Sequence, residues 1–115
     1  MAACSIDLIT NTEVSGTTST LIGSARIISG SNTTVSFRTM LGTDIAGTAS
    51  LEMKRFTGGA SIIELTASGT GLQDVSGSGQ SVSDLGLVND WYDFYLSGSS
   101  GATTAIIKGI KVTLY

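Results

Sequence analysis

The chain has 115 residues, a net charge of −3 and a charged fraction of 13%, about half the roughly 25% usual in soluble domains. This length indicates one domain, residues 1–115, large enough to bury a single core without disulfides or metals. Six scattered basic residues argue against a nucleic-acid partner, and no apolar run is long enough to span a membrane. A single Cys and no His exclude an internal disulfide and a Cys/His zinc site.

Period-two alternation of apolar and polar residues runs along most of the chain and predicts β-strands. The predicted strands, in chain order, are Ser5–Thr10, Ser19–Ile28, Thr34–Leu41, Ala49–Thr57, Ser61–Ala67, a weak one near Ser81–Val88, Trp91–Ser97 and Thr103–Tyr115. Ser-Gly pairs between them predict tight turns. The chain has no proline, so every predicted strand could lie inside a sheet. About eight short strands spaced in this way predict an all-β fold, a single antiparallel β-sandwich of the jelly-roll type.

The clearest hairpin lies in LEMKRFTGGASIIEL, residues 51–65, where two alternating runs flank Gly58-Gly59. Glu52 and Glu64 lie on its two arms. They are predicted to be cross-strand neighbours that point to solvent.

Three shorter segments also carry predictions of local structure. TGLQDVSGSGQS, residues 70–81, is glycine-rich but lacks the Lys-Ser/Thr of a phosphate loop, and it is predicted to be an ordinary loop. The segment 84–87 predicts a single helical turn. Gly109 lies where the apolar alternation changes face, because Ile106 and Ile107 are adjacent, and it therefore predicts a bulge in the last strand.

Four of the seven aromatic residues lie within NDWYDFYLSG, residues 89–98. Alternation along this strand predicts that one uncharged set faces the core: Tyr92, Phe94 and Leu96. The other set is predicted to face outward, because a lone carboxylate rarely points into a dry core: Trp91, Asp93 and Tyr95.

The outward set has three interpretations. Trp91 at the strand end half-covers the core, with Asp93 solvated beside it. Alternatively, the two rings and the carboxylate bind a sugar, or they anchor a protein interface, where Trp and Tyr are enriched. The sequence favours the interface, since only Asn89, Asp90 and small hydroxyl residues flank the rings along the chain.

The sequence gives little support for catalysis, for a metal site or for a cofactor. Asp90 and Asp93 fall on opposite strand faces, a poor arrangement for a paired acid and base, so we predict a non-enzyme without catalytic residues. Asn89 with Asp90 and Asp93, or Asp74 with nearby carbonyls, matches no recognised calcium loop. We therefore predict no metal and no cofactor. The sequon at 32–34 is predicted to be a turn before a strand.

The Ser-, Thr- and Gly-rich composition, the lack of a signal peptide, the aromatic strand WYDFYL and the long final strand TTAIIKGIKVTLY resemble the decoration (cement) proteins of tailed bacteriophage heads. The resemblance implies a jelly-roll virion structural protein that binds and stabilises the major capsid protein shell as a homotrimer. It also implies synthesis in the host cytoplasm and a place on the capsid surface. A phage fibre or baseplate domain fits the same pattern. The alternative function is a carbohydrate-binding jelly-roll module that uses Trp91, Asp93 and Tyr95.

Overall fold

The computed structural model describes residues 4–56, 61–83, 85 and 90–115. Within these ranges the chain forms eight β-strands and no helix. The strands are β1 (Cys4–Ser15), β2 (Thr20–Ile27), β3 (Thr34–Thr43), β4 (Thr48–Arg55), β5 (Ile63–Ser68), β6 (Gly71–Ser81), β7 (Asp90–Gly98) and β8 (Thr104–Leu114). No stretch of the described chain is a helix long and apolar enough to cross a membrane.

The strands form two four-stranded sheets that pack face to face. The first sheet has the order β1-β8-β3-β6 and the second has the order β2-β7-β4-β5. All strand pairs within the sheets are antiparallel. Consecutive strands lie in different sheets except for the β4–β5 hairpin, as in the double Greek key of a jelly roll. The predicted fold class is confirmed.

The core lies between the sheets and follows from the period-two alternation. Inward residues of both sheets are buried while their neighbours along each strand are exposed or half-buried. The largest side chains that are almost fully buried are Tyr92, Phe37, Phe94, Ile27, Leu41, Met53, Leu96 and Ile107. Two of the four aromatic residues of β7, Tyr92 and Phe94, therefore lie in the centre of this core, and the predicted inward set of that strand is confirmed.

A bulge interrupts the long β8 strand where the sequence predicts one. Met40 of β3 pairs with Gly109, whereas the next residue, Leu41, pairs with Ile107, so Lys108 is the extra residue. Beyond this bulge the inward positions of β8 shift by one residue. Ile107 and Ile110 are consequently both buried.

Residues 71–81 form β6, so the prediction of a loop at 70–81 is wrong. This edge strand pairs with β3 through backbone groups, which need no apolar side chains. Gly77 occupies a position close to the neighbouring sheet: a Cβ there would lie 3.3 Å from a methyl carbon of Leu65 and 3.5 Å from one of Ile63. A glycine at a closely packed position hides the apolar alternation by which a strand is recognised.

The weak strand predicted near Ser81–Val88 is also wrong at its start. β6 ends at Ser81, the turn that follows contains Val82 and Ser83, and Leu85 N donates to Ser81 O at 3.1 Å. Residues 84 and 86–89, which include most of the predicted helical turn, lie outside the described residues, as does Gly58-Gly59. The hairpin itself is confirmed by the antiparallel pairing of β4 with β5.

Candidate binding face

The outer side of β7 carries the residues that the sequence singles out. Trp91 is 50% exposed and Tyr95 is half-buried, whereas their neighbours Tyr92 and Phe94 are buried. The predicted register of this strand is therefore confirmed. The outer surface of the second sheet brings further side chains beside them from β2 and β4. We call this surface the aromatic face, formed by Arg26, Glu52, Lys54, Phe56, Trp91, Asp93 and Tyr95.

Asp93 lies on the outer side of β7 as predicted, but it is not solvated. Its exposed fraction is only 8%. Ser24 on β2 and Lys54 on β4 are its two cross-strand partners, and Ser24 Oγ donates to Asp93 Oδ1 at 2.6 Å. Neighbouring strands thus cover the carboxylate, and the interpretation of a solvated Asp93 is wrong. The hydrogen bond holds an acceptor at a fixed place in the middle of the face.

Tyr95 is less available than its position on β7 suggests. The Lys54 ammonium lies over its ring, with Nζ 5.2 Å from the ring centroid. This cation–π contact occupies one face of the ring. One side of the Tyr95 ring is therefore covered by Lys54 and is not free to stack on a ligand. The ring instead packs in the centre of the aromatic face.

Phe56 is a residue of this face that sequence reasoning missed. It directly follows β4 and is 66% exposed. Arg55 pairs with Tyr92, and Phe56 N donates to Trp91 O at 3.0 Å, which continues the ladder by one residue. Phe56 consequently lies across from Trp91. The signal was present in the alternation of Glu52, Lys54 and Phe56 along the hairpin arm.

Charged side chains surround the aromatic pair from neighbouring strands. Arg26 of β2 is the direct cross-strand partner of Trp91 and is exposed. Arg55 Nη2 donates to Asp90 Oδ2 at 3.0 Å at the same end of the sheet. The expectation that little more than Asn89, Asp90 and hydroxyl residues would flank the rings is wrong, because it considered only neighbours along the chain.

The pKa of Asp90 is lowered by these contacts. The hydrogen bond from Arg55 is the main cause, the backbone N–H of Trp91 adds to it at 2.8 Å from Oδ1, and the charge of Arg26 contributes further. Arg26 on the aromatic face and the Arg55–Asp90 pair at inward positions of β4 and β7 thus bring two guanidinium groups and one carboxylate to this end of the sheet. It is a cationic end.

The other end of the face is acidic. Glu52 and Glu64 are direct cross-strand partners on β4 and β5, as predicted, and Glu64 is exposed. Like charges that lie directly opposite destabilise a sheet modestly. Among the residues that the structure describes, no group of three or more His, Cys, Asp or Glu side chains is arranged to hold a metal ion.

The first sheet carries a depression on its own outer surface. This cavity of about 560 Å³ lies over Gly109 and is bordered by Asp7, Arg38, Met40 and Lys111. Arg38 Nε donates to Asp74 Oδ1 at 2.8 Å, and this hydrogen bond lowers the pKa of Asp74. Two of the charged groups beside this depression are thus paired with each other.

No protein-family model matches the sequence, and no curated protein matches it. Solved structures do share its fold. The CBM36-1 domain of a multidomain xylanase from the hindgut metagenome of Trinervitermes trinervoides matches with a TM-score of 0.60 and 12% identity, over 95% of this chain and 96% of that one. A CBM36 carbohydrate-binding module in complex with calcium and xylotriose matches with a TM-score of 0.51 and 16% identity, over 86% and 97%.

A viral protein has the same architecture. The VP2 subviral particle of infectious bursal disease virus matches with a TM-score of 0.60 and 13% identity, over 98% of this chain and 32% of that chain. The chain therefore spans about a third of the viral protein's length. Identities this low show a shared jelly-roll fold and nothing about function.

Proposed function

We propose that this domain is a non-catalytic binding module and that its aromatic face binds a carbohydrate chain. The observation that carries the proposal is the pair of exposed rings, Trp91 and Phe56, across from each other and next to the fixed carboxylate of Asp93. Aromatic rings offer flat apolar surfaces to the C–H faces of a sugar. A few placed polar groups then orient its hydroxyls.

The polar groups that such a site needs are present on the same sheet. Arg26 and Lys54 can donate hydrogen bonds to sugar hydroxyls, and the Ser24–Asp93 hydrogen bond fixes the polar middle of the face between them. From Trp91 to Tyr95 the strand rises about 13 Å, so the face is long enough for an oligosaccharide. Two of the similar structures are carbohydrate-binding modules, so the jelly-roll fold is compatible with this proposal.

The single tryptophan of the chain gives a direct test. Titration with the best ligand from an array of neutral and acidic oligosaccharides should change the fluorescence of Trp91. Trp91→Ala and Phe56→Ala should each weaken calorimetric binding by at least about tenfold, or roughly 1.4 kcal/mol. Tyr115→Ala is the matched control, because Tyr115 is 47% exposed but lies at the end of the first sheet. An array without any ligand, or equal loss in the control, would refute the proposal.

A virion structural role is the second candidate, and a different observation favours it. Exposed apolar side chains lie on the outer surface of the first sheet as well, among them Met40 and Leu72. A single sugar site does not require apolar groups on two opposite surfaces, whereas a subunit covered on both sides does. Under this candidate the chain is a decoration protein on the capsid surface, a homotrimer that binds the major capsid protein without any cofactor.

Sedimentation and virion composition test the second candidate. A homotrimer at micromolar concentration, together with the chain in purified virions, would support it. The variant Met40→Ser should then weaken self-association or capsid attachment and leave oligosaccharide binding unchanged. A monomer that is absent from virions would refute this candidate and leave the carbohydrate proposal standing.

A further inference from the structure

Arg26 is an exposed cation beside the aromatic pair. It lies directly across from Trp91 in the β2–β7 ladder. It forms no hydrogen bond or ion pair with any other residue that the structure describes. A guanidinium presents up to five donors in a rigid fork. Those donors are open to a ligand.

Asp90 interacts with the Arg26 guanidinium only through a weak charge–charge attraction. Asp90 accepts the Trp91 N–H on Oδ1 and the Arg55 guanidinium on Oδ2, whereas the charge of Arg26 is only the smallest of the causes that lower its pKa. Its lowered pKa keeps it ionised, but Arg55 already balances that charge. Among the described residues, the two guanidinium groups and the one carboxylate at this end of the sheet leave one net positive charge.

The charge of the aromatic face differs between its two ends, because the end away from Arg26 is acidic. Glu52 lies four residues before Phe56 on the same arm, about 13 Å away along the strand, and faces Glu64. An anionic group of a ligand is repelled there and attracted near Arg26. The charge pattern thus distinguishes the two ends of a bound chain.

We infer that the ligand of the aromatic face is a saccharide that carries an anionic group, a carboxylate or a sulfate ester. This inference rests on the proposed carbohydrate function. The anionic sugar unit stacks on Trp91 and Phe56, and Arg26 binds its anion with two parallel N–H···O bonds. Neutral units extend past Asp93. The net charge of −3 repels polyanions at long range, so any preference for them must arise locally.

Matched pairs of end-modified polymers test the inference. Dextran that carries one uronate unit at its end is compared with the methyl ester of the same chain, which lacks the charge, and dextran that carries one sulfate ester at its end is compared with unmodified dextran. Wild-type protein should bind the charged member of at least one pair tenfold or more tightly, and the pair that responds identifies the carboxylate or the sulfate. Arg26→Gln should abolish that preference. Lys111→Gln is the control, because it removes the same charge from the opposite sheet.

The outcomes separate the inference from the function on which it rests. Binding that depends on Trp91 but is equal for the charged and neutral members overturns the inference and supports the carbohydrate function. A preference that survives Arg26→Gln, or that Lys111→Gln abolishes equally, also overturns it. Failure of all polymers and of the array to bind overturns both. An unchanged thermal midpoint in Arg26→Gln verifies that the variant folds.

Discussion

The two sides of β7 show how one strand serves two purposes. Its inner side carries Tyr92 and Phe94, which are 0% and 2% exposed and fill the centre of the core. Its outer side carries Trp91 and Tyr95, whose surroundings are charged residues of neighbouring strands. Adjacent residues of β7 therefore have different roles: the inner ones stabilise the core, and the outer ones form the aromatic face.

The contrast between the two sides of β7 shows that composition alone does not assign a role to an aromatic cluster. The inner rings are held by apolar contacts that any sandwich needs. The outer rings lie beside a fixed carboxylate, a covering ammonium and an exposed guanidinium. Substitutions on the inner side should change the free energy of unfolding, and those on the outer side should change binding.

The largest effect is expected for Phe94→Ala. It should lower the free energy of unfolding by about 3–5 kcal/mol, because it leaves a cavity in the centre of the core. Tyr95→Ala, one residue further on, should cost far less, since its ring is half-buried under Lys54. Urea denaturation of both variants measures the contrast. If Tyr95→Ala costs more than Phe94→Ala, the two sides have the opposite roles.

A smaller effect is expected at the carboxylate of the outer side. Asp93→Ala should cost about 1–3 kcal/mol, because it removes a covered hydrogen-bond acceptor from the Ser24 hydroxyl. Ser24→Ala should cost less, and the double variant should cost less than the sum of the two. A double-mutant cycle by urea denaturation measures this coupling. Strict additivity would show that the hydrogen bond contributes nothing.

These contrasts also mark what the sequence alone can predict. Alternation places Phe94 inside and Trp91 outside, because a strand has a strict period of two. It misses β6, where Gly77 replaces an apolar side chain at the contact with Leu65. It also misses the partnership of Arg26 with Trp91. The two are 65 positions apart in sequence and are joined only by a sheet register that local patterns do not encode.

A still smaller stability effect is expected for Trp91→Ala. The half-exposed ring should contribute about 1 kcal/mol or less to the free energy of unfolding, as for most surface substitutions. Binding of the oligosaccharide should nevertheless fall at least tenfold. Thermal unfolding and calorimetry on the same sample measure both values. A large loss of stability would identify Trp91 as part of the core.

The smallest expected effect is a pH-dependent change in the thermal midpoint. Arg55 lowers the folded-state pKa of Asp90, so the pair stabilises the fold above the unfolded pKa near 3.9, and this contribution is lost as the pH falls through the folded pKa. Asp90→Asn should therefore lower the thermal midpoint slightly at pH 7 and converge with wild type in strong acid. Because the pair is exposed, the shift should be small. A difference that grows on acidification would contradict this assignment.

Mapping of the bound oligosaccharide by two-dimensional NMR tests the central claim most directly. Amide and side-chain resonances of the aromatic face, above all the Trp91 indole N–H and the Arg26 guanidinium, should shift on titration. Resonances around Lys111 and Met40 on the first sheet should stay in place. Shifts confined to the first sheet, or no shift with any oligosaccharide of the array, would contradict the assignment of this face as a carbohydrate-binding surface.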